Sequence, residues 1–473
     1  MRQPWALWIL GVCLVLQPAF VSAQAPDSWI GVRVVTKSPT PLKVDNQVVD
    51  EGKAFRVYTV QRTDDQLLWV VSGNVGGWIP ASAVVRYDQA IDYFTNEIRT
   101  NPSARAYTKR GILWDERKDH DKAIADFIEA IRFDPKDAAA YNNRGNACSD
   151  KNNYDKAIAD YTEAIRLDPK LAAAFYSRGF AWRHKKDYDK AIADYTEAIR
   201  LVPKDVASYS GRASVWSAKD DHDKAIADYT EAIRLDPKDA RAYDSRGNVW
   251  SAKNDYDKAI EDYTEAIRLD PKYARAYDNR GAAWSAKKDY DKAIADYSEA
   301  IRLDPRLALV YNGRGLAWLS KKDYDKAIAD YTEVIRLDPK DASAYNIRGF
   351  AWRAKKDYDK AIADYSEAIS LDPNFAWAYN NRAWLWATCP DAKYRDGKKA
   401  VESATRGCDL SEWNDAYNIG TLAAAYAESG DFEAATKWQQ KAVELAPNEE
   451  KEDFRTRLTL YQGKQPYRDV ARP

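Results

Sequence analysis

Three histidines, one methionine and four cysteines among 473 residues leave the chain poor in the side chains that build most metal centres and nucleophile–base pairs. Charge of one sign is missing too. The 72 Lys and Arg against 73 Asp and Glu give a formal net charge of -1. So balanced a chain lacks the basic excess that coating nucleic acid or an anionic membrane rewards. No Gly-rich phosphate loop follows a strand, and no Cys/His spacing suits zinc. These scarcities argue against an enzyme. No catalytic, cofactor-binding or metal-ligating residue is assigned, and no nucleic-acid partner is expected. What is present, 45% hydrophobic and 31% charged residues with 17 Trp, suffices for a folded chain.

Long apolar runs are confined to the N-terminus. Residues 1–23 have the pattern of a secretory signal: Arg2, the apolar run Trp5 to Leu16, and small residues Val21-Ser22-Ala23 before Gln24. That run of 12 residues falls short of the ~20 a spanning helix needs. The expectation is a cleaved signal and an exported protein, periplasmic or extracellular, with no transmembrane segment after cleavage. Cleavage removes Cys13 and leaves Cys148, Cys389 and Cys408, an odd number and no disulfide framework. Cys389 ends one helix of a hairpin and Cys408 lies near the far end of the next, after roughly 21 Å of helix. A disulfide requires Cα atoms within ~7 Å, so no bond is expected there.

The block Asp-Lys-Ala-Ile-Ala-Asp-aromatic starts at Asp121, Asp155, Asp189, Asp223, Asp257, Asp291, Asp325 and Asp359, with Glu261 replacing Ala in the fifth copy. Every step is 34 residues, the mark of a repeat architecture. Residues 138–171 show the physics of one period. Ala157, Ile158, Tyr161, Ala164 and Ile165 form the stripe of an amphipathic helix. Asp155, Lys156, Asp160, Glu163 and Arg166 fall on other faces, Lys156 and Asp160 at i,i+4 spacing. Pro169 ends this helix and is expected to open the next, with Asp168 as its cap. Upstream, Ala138, Tyr141, Gly145 and Cys148 form a second stripe, and Gly145 allows two helices to approach closely. Such a hairpin cannot bury its own stripes and must stack on its neighbours.

These residues resemble the tetratricopeptide repeat (TPR). The family's recurring small and aromatic positions appear in the unit from Ala274 as Tyr277, Gly281, Trp284, Ala293, Tyr297, Ala300 and Pro305. The resemblance divides the chain into a half-repeat capping helix (87–102), eight regular units (103–374), two divergent units (375–447) and a C-terminal capping helix and tail (448–473). The ninth unit carries an insertion between Trp386 and Ala400, and residues 465–473 read as frayed. It implies a mainly α fold, a superhelix of about one turn. Its concave face, lined by first-helix positions 2, 5, 9, 12 and 13, takes a peptide or protein segment.

Those positions vary while the frame does not. The main anchor is assigned to units seven to nine, at Leu316, Leu319, Phe350, Arg353, Asn380 and Trp384, and a weaker one to Tyr176, Phe180 and Arg183. Units four to six, with Ser210, Ser214, Asp244, Asn248, Asp278 and Ser285, read as a smooth and mildly acidic wall. The Trp row at position 11 (Trp114, Trp182, Trp216, Trp250, Trp284, Trp318, Trp352 and Trp386) reads as core. An Arg row at position 7 (Arg110, Arg144, Arg178, Arg212, Arg246, Arg280, Arg314, Arg348 and Arg382) reads as a ladder paired with Asp or Glu, or else as a track for an acidic ligand. His120 and His222 replace Tyr at a packing position.

Residues 24–86 do not repeat. Strand-like runs at Val32–Thr36, Phe55–Gln61 and Leu67–Ser72 are separated by turn signals. The stretch from Leu68 to Val85 resembles the end of a bacterial SH3-like domain, which implies a small β-barrel. Leu68 stands where that family's proline-peptide groove has Trp, which disfavours polyproline recognition. No flexible linker separates Val85 from Tyr87, so a rigid junction is expected. The function expected is an exported, non-catalytic protein–protein interaction scaffold. The alternative is an envelope-associated structural protein that contacts cell wall through the SH3-like domain.

Overall fold

The computed structural model describes residues 29–45, 47–50, 56–64 and 66–469. The signal assigned to residues 1–23 lies outside the described residues. The chain divides into two compact bodies, residues 1–203 and 204–473.

The first body opens with strands β1 (Arg33–Thr36), β2 (Leu42–Val44), β3 (Gln47–Asp50), β4 (Val57–Asp64), β5 (Leu67–Ser72), β6 (Val75–Pro80) and β7 (Val84–Arg86). They form one antiparallel sheet in the order β3-β2-β6-β5-β4-β1-β7. Gly73, at φ +58, lets a two-residue turn join β5 to β6, where Ser72 pairs with Val75. Alternate residues (Val34, Leu42, Tyr58, Val60, Leu68, Val70 and Ile79) face one buried core. The junction with the helices is packed. Val35 and Val85 share a cluster with Ala90, Ile91 and Phe94 of the helix Ala90–Thr100 and with Leu113. The buried Lys109 ammonium donates to the Thr36 carbonyl at 2.7 Å.

Helical hairpins follow. In the first body the first helices are Ala104–Glu116, Ala138–Asp150 and Ala172–His184, and their partners are His120–Phe133, Tyr154–Leu167 and Tyr188–Leu201. In the second body the first helices of units four to ten are Val206–Ala218, Ala240–Ala252, Ala274–Ala286, Ala308–Ser320, Ala342–Ala354, Ala376–Thr388 and Ala416–Glu428. Each has a partner, from His222–Leu235 to Phe432–Leu445, and Lys451–Gln462 closes the series. Among the described residues no helix is long and apolar enough to cross a membrane.

Local chemistry sets these boundaries. The turn inside a hairpin is a Schellman arrangement: Lys288 sits at φ +63, and the Asp289 N–H donates to the Trp284 carbonyl at 2.9 Å. Asp289 then caps the second helix by accepting the Lys292 N–H. Between hairpins the outcome differs from the expectation. Asp168 accepts the Lys170 N–H at 2.9 Å, Pro169 lies within that turn, and the next helix begins only at Ala172. Proline here shapes a connecting turn instead of opening a helix.

In the hairpins that carry Gly145, Gly179, Gly247, Gly281, Gly315 and Gly349, that glycine faces a buried tyrosine; Gly111 faces Phe127, and unit four has Ala213 there. A Cβ on Gly247 would lie 2.7 Å from the Tyr263 ring, closer than any carbon contact allows, so only glycine brings the helices together here. Eight of the nine arginines of the row form the ladder, and Arg382 does not. Arg246 grips Asp262 with two parallel bonds, Nε to Oδ2 at 2.9 Å and Nη2 to Oδ1 at 2.7 Å, and its Nη1 reaches Thr230 of the preceding unit at 3.0 Å. The same fork recurs at Arg110, Arg144, Arg178, Arg212, Arg280, Arg314 and Arg348. Asp160 is therefore buried against Arg144 and does not pair with Lys156. The Trp row is half-buried, one face on the core and the other under a lysine, as with Lys258 at 4.3 Å over Trp250. Cys148, Cys389 and Cys408 are buried free thiols.

Arg246→Ala strands the buried Asp262 carboxylate and should cost ~3–5 kcal/mol in urea denaturation. Asp262→Asn should cost comparably, and the double variant clearly less than the sum. A different group sets a pH dependence. Burial, helped by Arg105, pulls the Lys109 ammonium down to about 8. The unfolded chain therefore binds more protons than the folded one above that pH, and stability from this group rises with pH. Buried tyrosines such as Tyr161, whose ionisation burial pushes up, act oppositely once pH passes their unfolded value. Between about pH 8 and the tyrosine range, the wild-type urea midpoint should rise relative to Lys109→Met.

Candidate functional site

The sequence-assigned residues sit on first helices of both bodies. In the first body, Tyr176, Phe180 and Arg183 project from Ala172–His184. The Tyr176 ring lies 5.7 Å from Tyr195. Arg183 covers Phe180 at 5.1 Å, and His184 stacks on Tyr154 at 4.9 Å while touching Phe180 at 4.5 Å. Burial, followed by the Arg183 charge, holds His184 below the usual imidazole range. Tyr176 and Phe180 share a pocket of about 340 Å³ with Asn146, Asp115 and Asp150. It is an aromatic floor with an acidic rim. His120, read from sequence as packing alone, holds Asp115 at 2.7 Å. With Asp150 these two bring three possible metal-ligand atoms within 4.8 Å of one another. Sequence spacing missed that trio because its members come from different helices.

In units four to six, expected as a smooth and mildly acidic wall, Asp244 lies beneath the surface. Asp244 is fully buried, accepts from Asn279 at 2.7 Å and Tyr273 at 3.2 Å, and pairs with Arg275 at 3.2 Å. Asn248 accepts from Tyr263 at 2.8 Å. Burial, then the neighbouring Asp244, pushes the Asp278 carboxyl up. Asp244 and Asn248 are thus spent on neighbouring polar groups, while the Ser210 hydroxyl is buried without a partner.

Units seven to nine differ. Leu316 is 44% exposed and Phe350 38% exposed, both at position 9, and Arg353 lies 5.3 Å over the Phe350 ring. Leu319 is half-buried beside Tyr311 and Tyr331. Phe350 and Arg353 face a cleft of about 800 Å³ that also includes Tyr358, Thr388 and Asp469. Asn380, by contrast, is buried and lies within the wall. Trp384 is covered: its indole N–H donates to Asp469 at 3.1 Å and its ring lies 5.7 Å from Tyr467. The tail read as frayed is thus folded onto unit nine as far as residue 469, because its polar and aromatic groups find partners there. Two exposed side chains went unassigned although they occupy position 2 of the groove pattern, Leu309 at 80% and Trp377 at 49% exposure.

Comparisons with known proteins agree with the repeat. A family model described as "Tetratricopeptide repeat" matches residues 138–171, 172–205, 308–341 and 342–375, and a second of that description matches 207–239 and 418–449. A "TPR repeat" model matches 116–149, 247–287 and 285–321, so the family covers more than half of the chain. No curated protein matches. Among solved structures, YrrB, described as a TPR protein with an unusual peptide-binding site, is 25% identical with a TM-score of 0.35, covering 40% of this chain and 97% of that one. A TPR protein from Parabacteroides merdae is 21% identical with a TM-score of 0.40, covering 52% and 96%. Yeast Tom70 is 17% identical with a TM-score of 0.38, covering 80% and 92%. With its 34-residue period, its helical hairpins and family-model matches over more than half of its length, the chain belongs to the tetratricopeptide repeat family.

Proposed function

We propose that the protein is an exported, non-catalytic scaffold that holds an extended peptide or protein segment on its first-helix faces. TPR proteins are generally protein-interaction scaffolds. Leu316 and Phe350, exposed at the same repeat position, with Phe350 and Arg353 lining a cleft of about 800 Å³, carry the reading that units seven to nine are the main contact. Exposed apolar surface rimmed by polar groups marks an interaction site. Tyr176, Phe180 and Arg183 supply a second, smaller contact. The sheet, taken as SH3-like, adds a further surface. Its edge strand β3 exposes Val48 and Val49, the observation that favours a cell-wall or envelope contact there as the second reading.

Peptides selected from a random displayed library on the full chain test the face directly. Leu316→Ala with Phe350→Ala should weaken the selected peptides by roughly tenfold or more, with helicity unchanged. Undiminished binding would remove units seven to nine as the site. Export has its own check: N-terminal sequencing of mature protein should begin at Gln24.

A further inference from the structure

The last described residues turn back onto the array. The helix Lys451–Gln462 ends with Lys464 at φ +57, the Lys464 N–H on the Tyr461 carbonyl at 3.0 Å and the Gln465 N–H on the Leu460 carbonyl at 2.9 Å. This Schellman arrangement reverses the chain, and Pro466 then fixes one backbone angle of the segment that follows. Arg468 pairs with Glu428 at 2.7 Å and reaches the Ala387 carbonyl at 3.4 Å. Glu428, largely buried, is held from another side by Arg395 at 3.0 Å. The Asp469 N–H donates to the Thr388 carbonyl at 2.9 Å, and its carboxylate receives the Trp384 indole. Arg457 completes the frame, 5.4 Å over Trp384 and 5.9 Å over Tyr467.

These are the contacts of a short peptide on a receptor: an aromatic on an aromatic anchor, a guanidinium on a buried carboxylate, and a main-chain amide on a carbonyl at a helix end. Trp384 occupies position 9, the position that exposes Leu316 and Phe350 in units seven and eight. Asp469 stands in the wall of the cleft that Phe350 and Arg353 line. We infer that residues 464–469 are a resident ligand of this face. Its partner is an extended segment with the same aromatic–arginine–carboxylate chemistry, which binds by displacing them. The inference rests on the reading of units seven to nine as the binding face and adds the occupant, its chemistry and its regulation. A tethered segment acts at an effective concentration near the millimolar range, so it shuts out weaker competitors without needing high affinity of its own.

The probe is a labelled peptide with the sequence of residues 463–469, followed by fluorescence anisotropy up to millimolar concentration. It should bind a chain truncated after Gly463 and should bind the full chain at least about tenfold more weakly, because the tail occupies the site. Trp384→Ala in the truncated chain should abolish binding. A full-length Tyr467→Ala/Arg468→Ala variant opens the face without shortening the chain and should behave like the truncation. Equal binding to full and opened chains, or none to either opened form, overturns the inference. Library-selected peptides keep the two readings apart. If they bind full and opened chains equally yet fail on the Leu316/Phe350 variant, the face stands and displacement falls.

Discussion

The bidentate grip of an arginine on a buried aspartate, repeated in each of the eight regular units, is the constraint from which the rest of the array follows. Each guanidinium leaves a first helix, locks two parallel bonds onto the second helix of its own hairpin, and in several units extends a third to a hydroxyl one unit back, as Arg280 does to Asp296 and Thr264. A desolvated carboxylate tolerates no slippage, since a shift of one residue would strand both charges. Hydrophobic stripes alone would permit neighbouring hairpins to slide. The fork fixes the two helices of a hairpin, and the third bond ties each hairpin to the one before it, as Arg314 does to Ser298, Arg348 to Thr332 and Arg382 to Ser366. Position 9 of successive first helices therefore runs forward in register: Leu316, Phe350 and Trp384 are the same place three times.

The ladder also shows where regularity ends. The insertion of unit nine shifts its second helix to Gly397–Leu410, where the buried Ser403 stands in the place that Asp364 holds in unit eight and donates to the Tyr379 carbonyl at 3.0 Å. Arg382 keeps only Ser366 at 3.1 Å and the faces of Trp386 and Tyr379; its Nε is buried without a partner, and burial holds its pKa below the usual guanidinium range. Beyond it the packing changes character. The first helix of unit ten buries a run of small residues, Ala423, Ala424, Ala425 and Ala427, and Gln439 replaces the tyrosine of the second helix and donates to the Phe454 carbonyl at 2.9 Å. Phe454 and Tyr461 of the last helix then close the core.

Much of this was legible in the sequence, and the misses share a cause. Period, hairpins, facing stripes and the Arg row follow from local spacing, which a 34-residue recurrence amplifies. Local rules fail where the partner is remote. Asp160 looked like the i,i+4 mate of Lys156, yet Arg144, sixteen residues upstream, takes it. Asp168 looked like a cap, yet it closes a turn around Pro169. Asn380 sits at a groove position, yet it is buried. His120 meets Asp115 and Asp150 only after two hairpins have packed. The tail was illegible because it belongs to no repeat, so no recurrence announced where it lies.

The chemistry of that tail separates it from the caps that hold the ends shut. Phe454 and Tyr461 are fully buried and cannot leave without opening a core. Tyr467, Arg468 and Asp469 remain partly exposed, and hold by ring contact, one charge pair and single hydrogen bonds. Interactions of that grade are worth about 1 kcal/mol each against water, enough to order a tethered segment and too little to exclude a better one. Glu428 makes the exchange tolerable: with Arg395 still at hand, it is not left an orphan when Arg468 departs. A site whose occupant can be removed without stranding a buried charge is built for replacement, and Trp384 is what the replacement would find.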